Sequence, residues 1–140
     1  QNYLAAYLNV RQLSFGLTDM AWHTITEPFE GDVEQFEVAS MAPSQVQPVV
    51  PGTAMAPAFG HIFSGGYAAG YYGYKWAEVL EADAFSLFKE KGIFNREVSG
   101  SFRENILSKG GTEHPMELYV RFRGHKPETK ALIEKMGLGK

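Results

Sequence analysis

Apolar side chains recur every three or four positions along most of the 140-residue chain, which is the spacing of amphipathic helices. The first such stretch covers residues 3–26. Its apolar stripe consists of Leu4, Tyr7, Leu8, Leu13, Leu17, Met20 and Ala21. We predict one long helix here, which ends before Pro28 and Gly31.

Capping residues and glycines mark the ends of five further predicted helices. They cover residues 32–42 after the cap Asp32, 67–91 before Gly92, 96–108 after Asn95, 112–123 between Thr112 and Gly124, and the stretch from Pro127 to Gly137. The strand pattern of alternating apolar and polar residues is confined to the ambiguous run 46–50. The pattern therefore predicts an all-α fold.

Residues 43–58 stand apart because four of the seven prolines lie there, at positions 43, 48, 51 and 57. Proline lacks a backbone donor and restricts φ, so this stretch should be extended and non-helical. The chain length is typical of one domain. We therefore interpret residues 1–140 as a single helical segment in which 43–58 crosses over a packed surface.

Composition excludes several classes of function. A formal net charge of −3 argues against a nucleic-acid binder, which usually presents a basic face. The chain has no cysteine, which excludes disulfide scaffolds, thiolate zinc sites and cysteine nucleophiles. No apolar run approaches the roughly 18 residues that a membrane-spanning helix needs.

The segment from Phe59 to Tyr74 is chemically unusual, because five glycines lie between positions 60 and 73. Glycine weakens helices, so packing alone would not favour so many. On a helical wheel, Tyr67, Tyr71 and Tyr74 fall within about 60° of one another. The opposite side carries the expected core stripe: Tyr72, Trp76, Val79, Leu80 and Leu87.

Three phenols on one face form a candidate binding site, since neutral hydroxyls can donate to an oxyanion or a peptide carbonyl. His61 precedes the glycines and could converge on the same space. The alternative is structural: such tyrosines often pack against another helix, and a lone histidine is usually a hydrogen-bonded structural residue. The chain has neither an HExxH motif nor another histidine pair at metal-binding spacing, so no metal site is predicted in it.

The string from His61 to Tyr74 resembles the C-terminal part of the thimet-oligopeptidase family of zinc metallopeptidases, and within that family the peptidyl-dipeptidases. Residues 17–23, 102–108, 121–128 and 136–138 are similar to the same family. The resemblance therefore covers nearly the whole chain. It implies the helical C-terminal part of a zincin-like catalytic domain.

The resemblance also implies roles for individual residues. Tyr74 matches the tyrosine that hydrogen-bonds the tetrahedral oxyanion, and His61 matches the catalytic histidine beside it. Tyr67 and Tyr71 match tyrosines that contact the bound peptide. Gly65 and Gly66 match a flexible loop that lets short peptides of varied sequence bind. Zinc is held in the family by an HExxH helix and a later glutamate, all upstream of the region that this chain matches.

We therefore expect a fragment of a cytoplasmic or periplasmic, monomeric peptidase that releases C-terminal dipeptides from short peptides. Its partner would be the missing N-terminal part of the same polypeptide, with neither nucleic acid nor membrane bound. By itself the chain should bind no stoichiometric zinc, hydrolyse no peptide and expose an apolar surface. Two alternatives remain open: an all-α module that docks a peptide or partner helix without chemistry, and a family member that scaffolds rather than cleaves.

Overall fold

The computed structural model describes residues 3–139, and within that range it has seven α-helices and no strand. They are α1 (Ala5–His23), α2 (Val33–Met41), α3 (Gly60–Phe63), α4 (Gly73–Lys91), α5 (Arg96–Phe102), α6 (Pro115–Arg123) and α7 (Lys130–Lys135). The all-α prediction is confirmed. The chain divides into two compact units, one ending at Lys75 and one beginning at Trp76. In the described range no helix has the length and apolarity needed to cross a membrane.

Three of the predicted helix ends are confirmed by their capping geometry. The Asp32 carboxylate accepts a hydrogen bond from the Gln35 N–H at 2.9 Å, which satisfies a free donor at the start of α2. Asn95 likewise accepts from the first turn of α5. Gly124 ends α6 with φ of 91°, a left-handed conformation that glycine adopts without strain.

Two predicted helix starts are wrong. Thr112 does not cap α6, because its hydroxyl donates back to the Lys109 carbonyl at 2.8 Å. The cap is His114, whose Nδ1 accepts from the Met116 N–H at 3.2 Å. Pro127 does not lie in the first turn of the last helix, since α7 begins only at Lys130. At Thr112 a local turn bond replaces the predicted cap. Nothing in the structure explains the later start of α7.

The predicted helix 67–91 is six residues shorter than expected, because residues 64–72 form turns and α4 starts at Gly73. Two members of the predicted core stripe are not buried. Trp76 is 44% exposed and Tyr72 is 60% exposed. Val79 is buried as predicted, while Leu80 and Leu87 are half-buried. Tyr72 lies in the turns before α4, outside the continuous helix that the wheel assumed. Trp76 lies within α4 but lines an open apolar cleft, so its ring stays exposed.

The long helix α1 is confirmed, but its apolar stripe is exposed. Leu4, Leu8, Leu13, Leu17 and Met20 all lie on the exposed side. The buried residues of α1 are instead polar: Ser14, Thr18 and Asp19. Hydrogen bonds satisfy them, and one of these joins the Thr18 Oγ1 to the Ser40 Oγ of α2 at 3.0 Å. The expected exposed apolar surface is thus confirmed in the described part of the chain.

The proline-rich stretch is tied to α2 by two glutamates. The buried carboxylate of Glu37 accepts from the Met55 N–H at 2.8 Å and from the Ala56 N–H at 2.7 Å. Glu34 accepts from the Gly52 N–H at 2.9 Å. Hydrogen bonds to a charged group contribute about 1.5–3 kcal/mol each when buried. The stretch is irregular, as predicted, except for 3₁₀ turns at Ala42–Ser44 and Ala56–Ala58.

The second unit has a small core and an open apolar cleft. Val79 and Ala82 of α4 pack with Leu132 of α7. Beside this core lies a cleft of about 680 Å³, whose lining includes Trp76, Phe85, Phe88, Ile93, Phe102 and Phe122. The cleft adds to the exposed apolar surface of the chain.

Candidate active site

Four of the predicted site residues form one aromatic cluster, which consists of His61, Tyr67, Tyr71 and Tyr74. The His61 ring centroid lies 5.8 Å from that of Tyr67 and 6.2 Å from that of Tyr71. The Tyr74 ring centroid lies 5.1 Å from both of those tyrosines. The structure therefore brings together all four side chains that the sequence singled out.

The cluster does not form on one helix face, as the wheel assumed. His61 belongs to α3 and Tyr74 to α4, and the two other tyrosines lie in the turns between these helices. The chain folds back on itself, and the Tyr67 N–H donates to the His61 carbonyl at 3.2 Å. Convergence results from this reversal of the chain.

The two glycines of the predicted flexible loop make the reversal possible. A Cβ atom on Gly65 would lie only 2.9 Å from the Cα of His61 and 3.0 Å from its carbonyl oxygen. Those are backbone atoms, which cannot move aside as a side chain can. Gly66 has φ of 82°, which a residue with a Cβ adopts only with strain. In this structure both glycines shape the turn beside His61.

Phenylalanines support the inner side of the aromatic cluster. The rings of Phe15 and Phe59 lie edge-on to Tyr71, with centroids at 5.9 and 5.1 Å. Such edge-to-face packing is worth about 0.5–1.5 kcal/mol per pair beyond the buried area. Tyr67 and Tyr74 remain 39% and 37% exposed. The cluster thus has a packed base and an open rim that is formed by the partly exposed Tyr67 and Tyr74.

The hydroxyls of the rim are electrostatically coupled. A hydrogen bond to Tyr67 raises the pKa of Tyr74 above its ordinary value, and partial desolvation adds to the effect. A raised pKa means that the protonated form of the Tyr74 phenol is favoured, so this hydroxyl remains available as a neutral hydrogen-bond donor.

Asp19 is the residue of this region that the sequence pattern did not identify as part of the site. Its carboxylate accepts from the Ala69 N–H at 2.9 Å and from the Tyr71 N–H at 2.8 Å. The only local signal was its position four residues before His23, whose Nδ1 lies 2.8 Å from the Asp19 Oδ1. Its hydrogen-bond partners in the loop are about fifty residues away in the sequence. Hydrophobic periodicity gives no indication of contacts at that separation.

The remaining histidines have local partners. His114 caps α6, and the His125 Nδ1 lies 2.6 Å from the carbonyl oxygen of Lys126. Among residues 3–139, no three or more side chains of His, Cys, Asp or Glu are grouped so that they could hold a metal ion. The described residues therefore do not fit a zinc site.

Comparison with known proteins identifies the family. The model for peptidase family M3 matches residues 1–138. The chain belongs to peptidase family M3. Oligopeptidase A of Escherichia coli (strain K12) is 49% identical to this M3 chain, over 99% of the chain and 20% of that protein. Dipeptidyl carboxypeptidase of the same organism is 39% identical, over 90% of the chain and 19% of that protein.

A plant relative gives the same picture. The organellar (chloroplastic/mitochondrial) oligopeptidase A of Arabidopsis thaliana is 40% identical, over 99% of the chain and 18% of that protein. This M3 chain thus spans no more than 20% of the length of the relatives named here.

Proposed function

We propose that this M3 chain is part of a longer metallopeptidase that hydrolyses short peptides, and that it supplies the wall that holds the substrate opposite the metal. The observation that carries the proposal is the aromatic cluster, in which His61 and three tyrosines share one open rim. Family membership supports hydrolysis, and the geometry supports a role in binding carbonyl oxygens.

In the proposed mechanism, Tyr74 donates its hydroxyl proton in a hydrogen bond to the oxyanion that forms at the scissile carbonyl. The raised pKa favours the neutral, protonated phenol, which is the form that can donate to an oxyanion. His61 lies beside the tyrosines and is proposed to donate to the same side of the reacting centre. Tyr67 and Tyr71 are proposed to contact carbonyl groups of the bound peptide.

Gly65 and Gly66 are proposed to let the loop adjust to peptides of different sequence. Both residues are exposed glycines without a side chain, so a peptide backbone can approach the turn closely.

Zinc, short peptides and the remainder of the same polypeptide are the proposed ligands and partners. The described residues do not fit zinc, so its ligands would have to lie outside this chain. The exposed stripe of α1 and the apolar cleft beside α4 are surfaces that the rest of the polypeptide could cover. We further propose a monomeric enzyme of the cytoplasm.

The most specific part of the proposal is the position of the peptide bond that is cleaved. The resemblance to peptidyl-dipeptidases favours release of C-terminal dipeptides. The higher identity to oligopeptidase A than to dipeptidyl carboxypeptidase favours a broader oligopeptidase activity. Mass spectrometry of the products from one peptide, with a free and with an amidated C-terminus, distinguishes the two activities.

The central test is Tyr74→Phe in the full-length enzyme, assayed with a quenched fluorescent peptide. Loss of one oxyanion donor lowers kcat by about 10²–10³-fold, and KM should change little because the contact is made in the transition state. Tyr67→Phe should instead raise KM. The matched control is Tyr72→Phe, since the Tyr72 ring is exposed and lies outside the aromatic cluster; its kinetics should stay at wild-type values.

Retention of kcat within a factor of about three in Tyr74→Phe would remove the oxyanion role. Peptide binding without turnover in the full-length protein would instead support a module that docks peptides without chemistry. For the 140-residue chain alone, we expect neither hydrolysis nor one tightly bound zinc per chain, as judged by the same assay and by metal analysis.

A further inference from the structure

Asp19 is a fully buried carboxylate in the second half of α1. Its Oδ1 accepts from the Ala69 N–H at 2.9 Å and its Oδ2 from the Tyr71 N–H at 2.8 Å. One turn later in α1, the His23 Nδ1 hydrogen-bonds with the backbone carbonyl of Asp19 at 2.8 Å and also lies 2.8 Å from the Asp19 Oδ1. One carboxylate therefore joins the rigid helix α1 to the turns that carry the aromatic cluster.

The two anchored amides lie between Tyr67 and Tyr74. The backbone bonds of this segment are those of successive single turns: the Gly70 N–H donates to the Tyr67 carbonyl at 2.9 Å, and the Gly73 N–H donates to the Gly70 carbonyl at 3.0 Å. Ala69 has φ of 51°, which is strained for a residue with a Cβ. Single turns with a strained residue have little stability of their own, so an external anchor must select this arrangement.

We propose that Asp19 is a positioning residue for the reaction, which holds residues 69–71 so that the rings of Tyr67 and Tyr74 stay stacked at the rim. This inference rests on the proposed function of those tyrosines. Asp19 itself is buried and does not reach substrate, so it acts only through the loop. The His23 ring lies against the same carboxylate oxygen that accepts from Ala69, with its Nδ1 at 2.8 Å.

The test is Asp19→Asn in the full-length enzyme, because asparagine has the same shape but only one acceptor oxygen. One of the two anchored amides must then face an NH₂ group, and it loses its hydrogen bond. We expect amide hydrogen exchange to accelerate at Ala69 and Tyr71. We also expect kcat to fall on the order of 10²-fold, the usual effect of a small displacement of catalytic groups, with a smaller change in KM.

The matched control is Thr18→Val, which removes a hydrogen bond from the neighbouring fully buried residue of α1. That bond reaches Ser40 of α2 and leaves the tyrosine loop untouched. Thr18→Val should lose stability while it keeps kcat and the exchange rates of Ala69 and Tyr71. An equal loss of kcat in Thr18→Val would show that Asp19 acts only through general stability, and it would overturn the proposal.

The outcomes separate this inference from the proposed function. Wild-type kcat in Tyr74→Phe contradicts the proposed function itself. A large loss in Tyr74→Phe, together with accelerated exchange but wild-type kcat in Asp19→Asn, leaves the function standing and overturns the positioning role. Unchanged exchange at Ala69 and Tyr71 in Asp19→Asn also overturns it.

A second variant covers the case in which Asp19→Asn does not fold. His23→Ala removes the ring nitrogen that lies 2.8 Å from the Asp19 Oδ1, the oxygen that accepts from Ala69, and the partly exposed His23 side chain tolerates truncation better than Asp19 does. The expected result is a smaller fall in kcat in the same direction, with faster exchange at the Ala69 amide. Wild-type kcat and exchange in His23→Ala would then count against the proposal.

Discussion

Tyr67 and Tyr74 lie seven positions apart in the chain, and their rings stack with centroids 5.1 Å apart and planes inclined by 22°. A hydrogen bond between their hydroxyls accompanies the stacking and raises the pKa of Tyr74. The two phenols therefore form one unit. A change in either hydroxyl must alter what the other can do.

We predict that the effects of Tyr67→Phe and Tyr74→Phe on kcat/KM are not additive. Groups in direct contact typically show coupling energies of about 0.5–3 kcal/mol, and here each single variant already disrupts the shared hydrogen bond. The double variant should therefore lose less activity than the product of the two single losses. The pair Tyr72→Phe and Tyr74→Phe is the control, and it should be nearly additive. Additivity of the first pair would argue against coupled hydroxyls.

The coupling also predicts the pH at which Tyr74 ionises. Because its pKa is raised mainly by Tyr67, the phenol keeps its proton above the ordinary value near 10. Tyr67→Phe should lower this pKa toward that value, so activity that depends on a protonated Tyr74 should be lost at lower pH. Nuclear magnetic resonance of carbon-labelled tyrosine measures the titration directly. A Tyr74 pKa that does not fall in Tyr67→Phe would show that the bond is not its main cause.

Gly65→Ala is predicted to damage the site, because the new methyl group would clash with the backbone of His61. Overpacking of this kind typically lowers the free energy of unfolding by about 1–3 kcal/mol. Here the clash can be relieved only if the turn that carries His61 is displaced. Both thermal stability and kcat/KM should fall.

Gly73→Ala serves as its control. Nothing lies within 4 Å of a Cβ at that position, at the start of α4. Alanine is the better helix former by up to about 1 kcal/mol, so stability should hold or rise and activity should persist. Equal damage from both substitutions would point to loss of loop flexibility rather than to the clash with His61.

Tyr119→Phe tests a buried polar contact in the second unit. The Tyr119 hydroxyl donates to the Asp83 Oδ2 at 2.7 Å, and both residues are buried. Removing the hydroxyl leaves the charged Asp83 with one fewer donor, which should cost about 1–3 kcal/mol of unfolding free energy. Denaturant unfolding of the full-length protein measures the loss. A loss below about 0.5 kcal/mol would show that Arg123 or water replaces the donor.

The same contact predicts a dependence of stability on alkaline pH. Burial, and then the bond to Asp83, raise the pKa of Tyr119. The folded state therefore holds this proton at a pH where the unfolded state has lost it. The contribution is complete below the ordinary tyrosine pKa near 10 and declines as the pH rises above it. Tyr119→Phe should flatten this part of the stability curve.

Local chemistry in the sequence was sufficient to predict the helical class, the long helix α1, the caps Asp32 and Asn95 and the stop at Gly124. These features depend on neighbours within one or two turns, and the sequence shows those neighbours directly. The four aromatic residues of the cluster were also recognisable, because their residue types and the glycines among them are unusual for a packing helix.

Tertiary structure alone decided how those residues meet and which faces are buried. The carboxylate of Asp19 and the amides of Ala69 and Tyr71 are about fifty residues apart, so only the folded chain brings the acceptor to its donors. The helical wheel placed Trp76 in the core, but in the folded chain Trp76 lines an open apolar cleft and remains 44% exposed. In α1, hydrogen bonds to distant residues offset the cost of burying Thr18 and Asp19. Hydrophobic periodicity carries no information about such bonds.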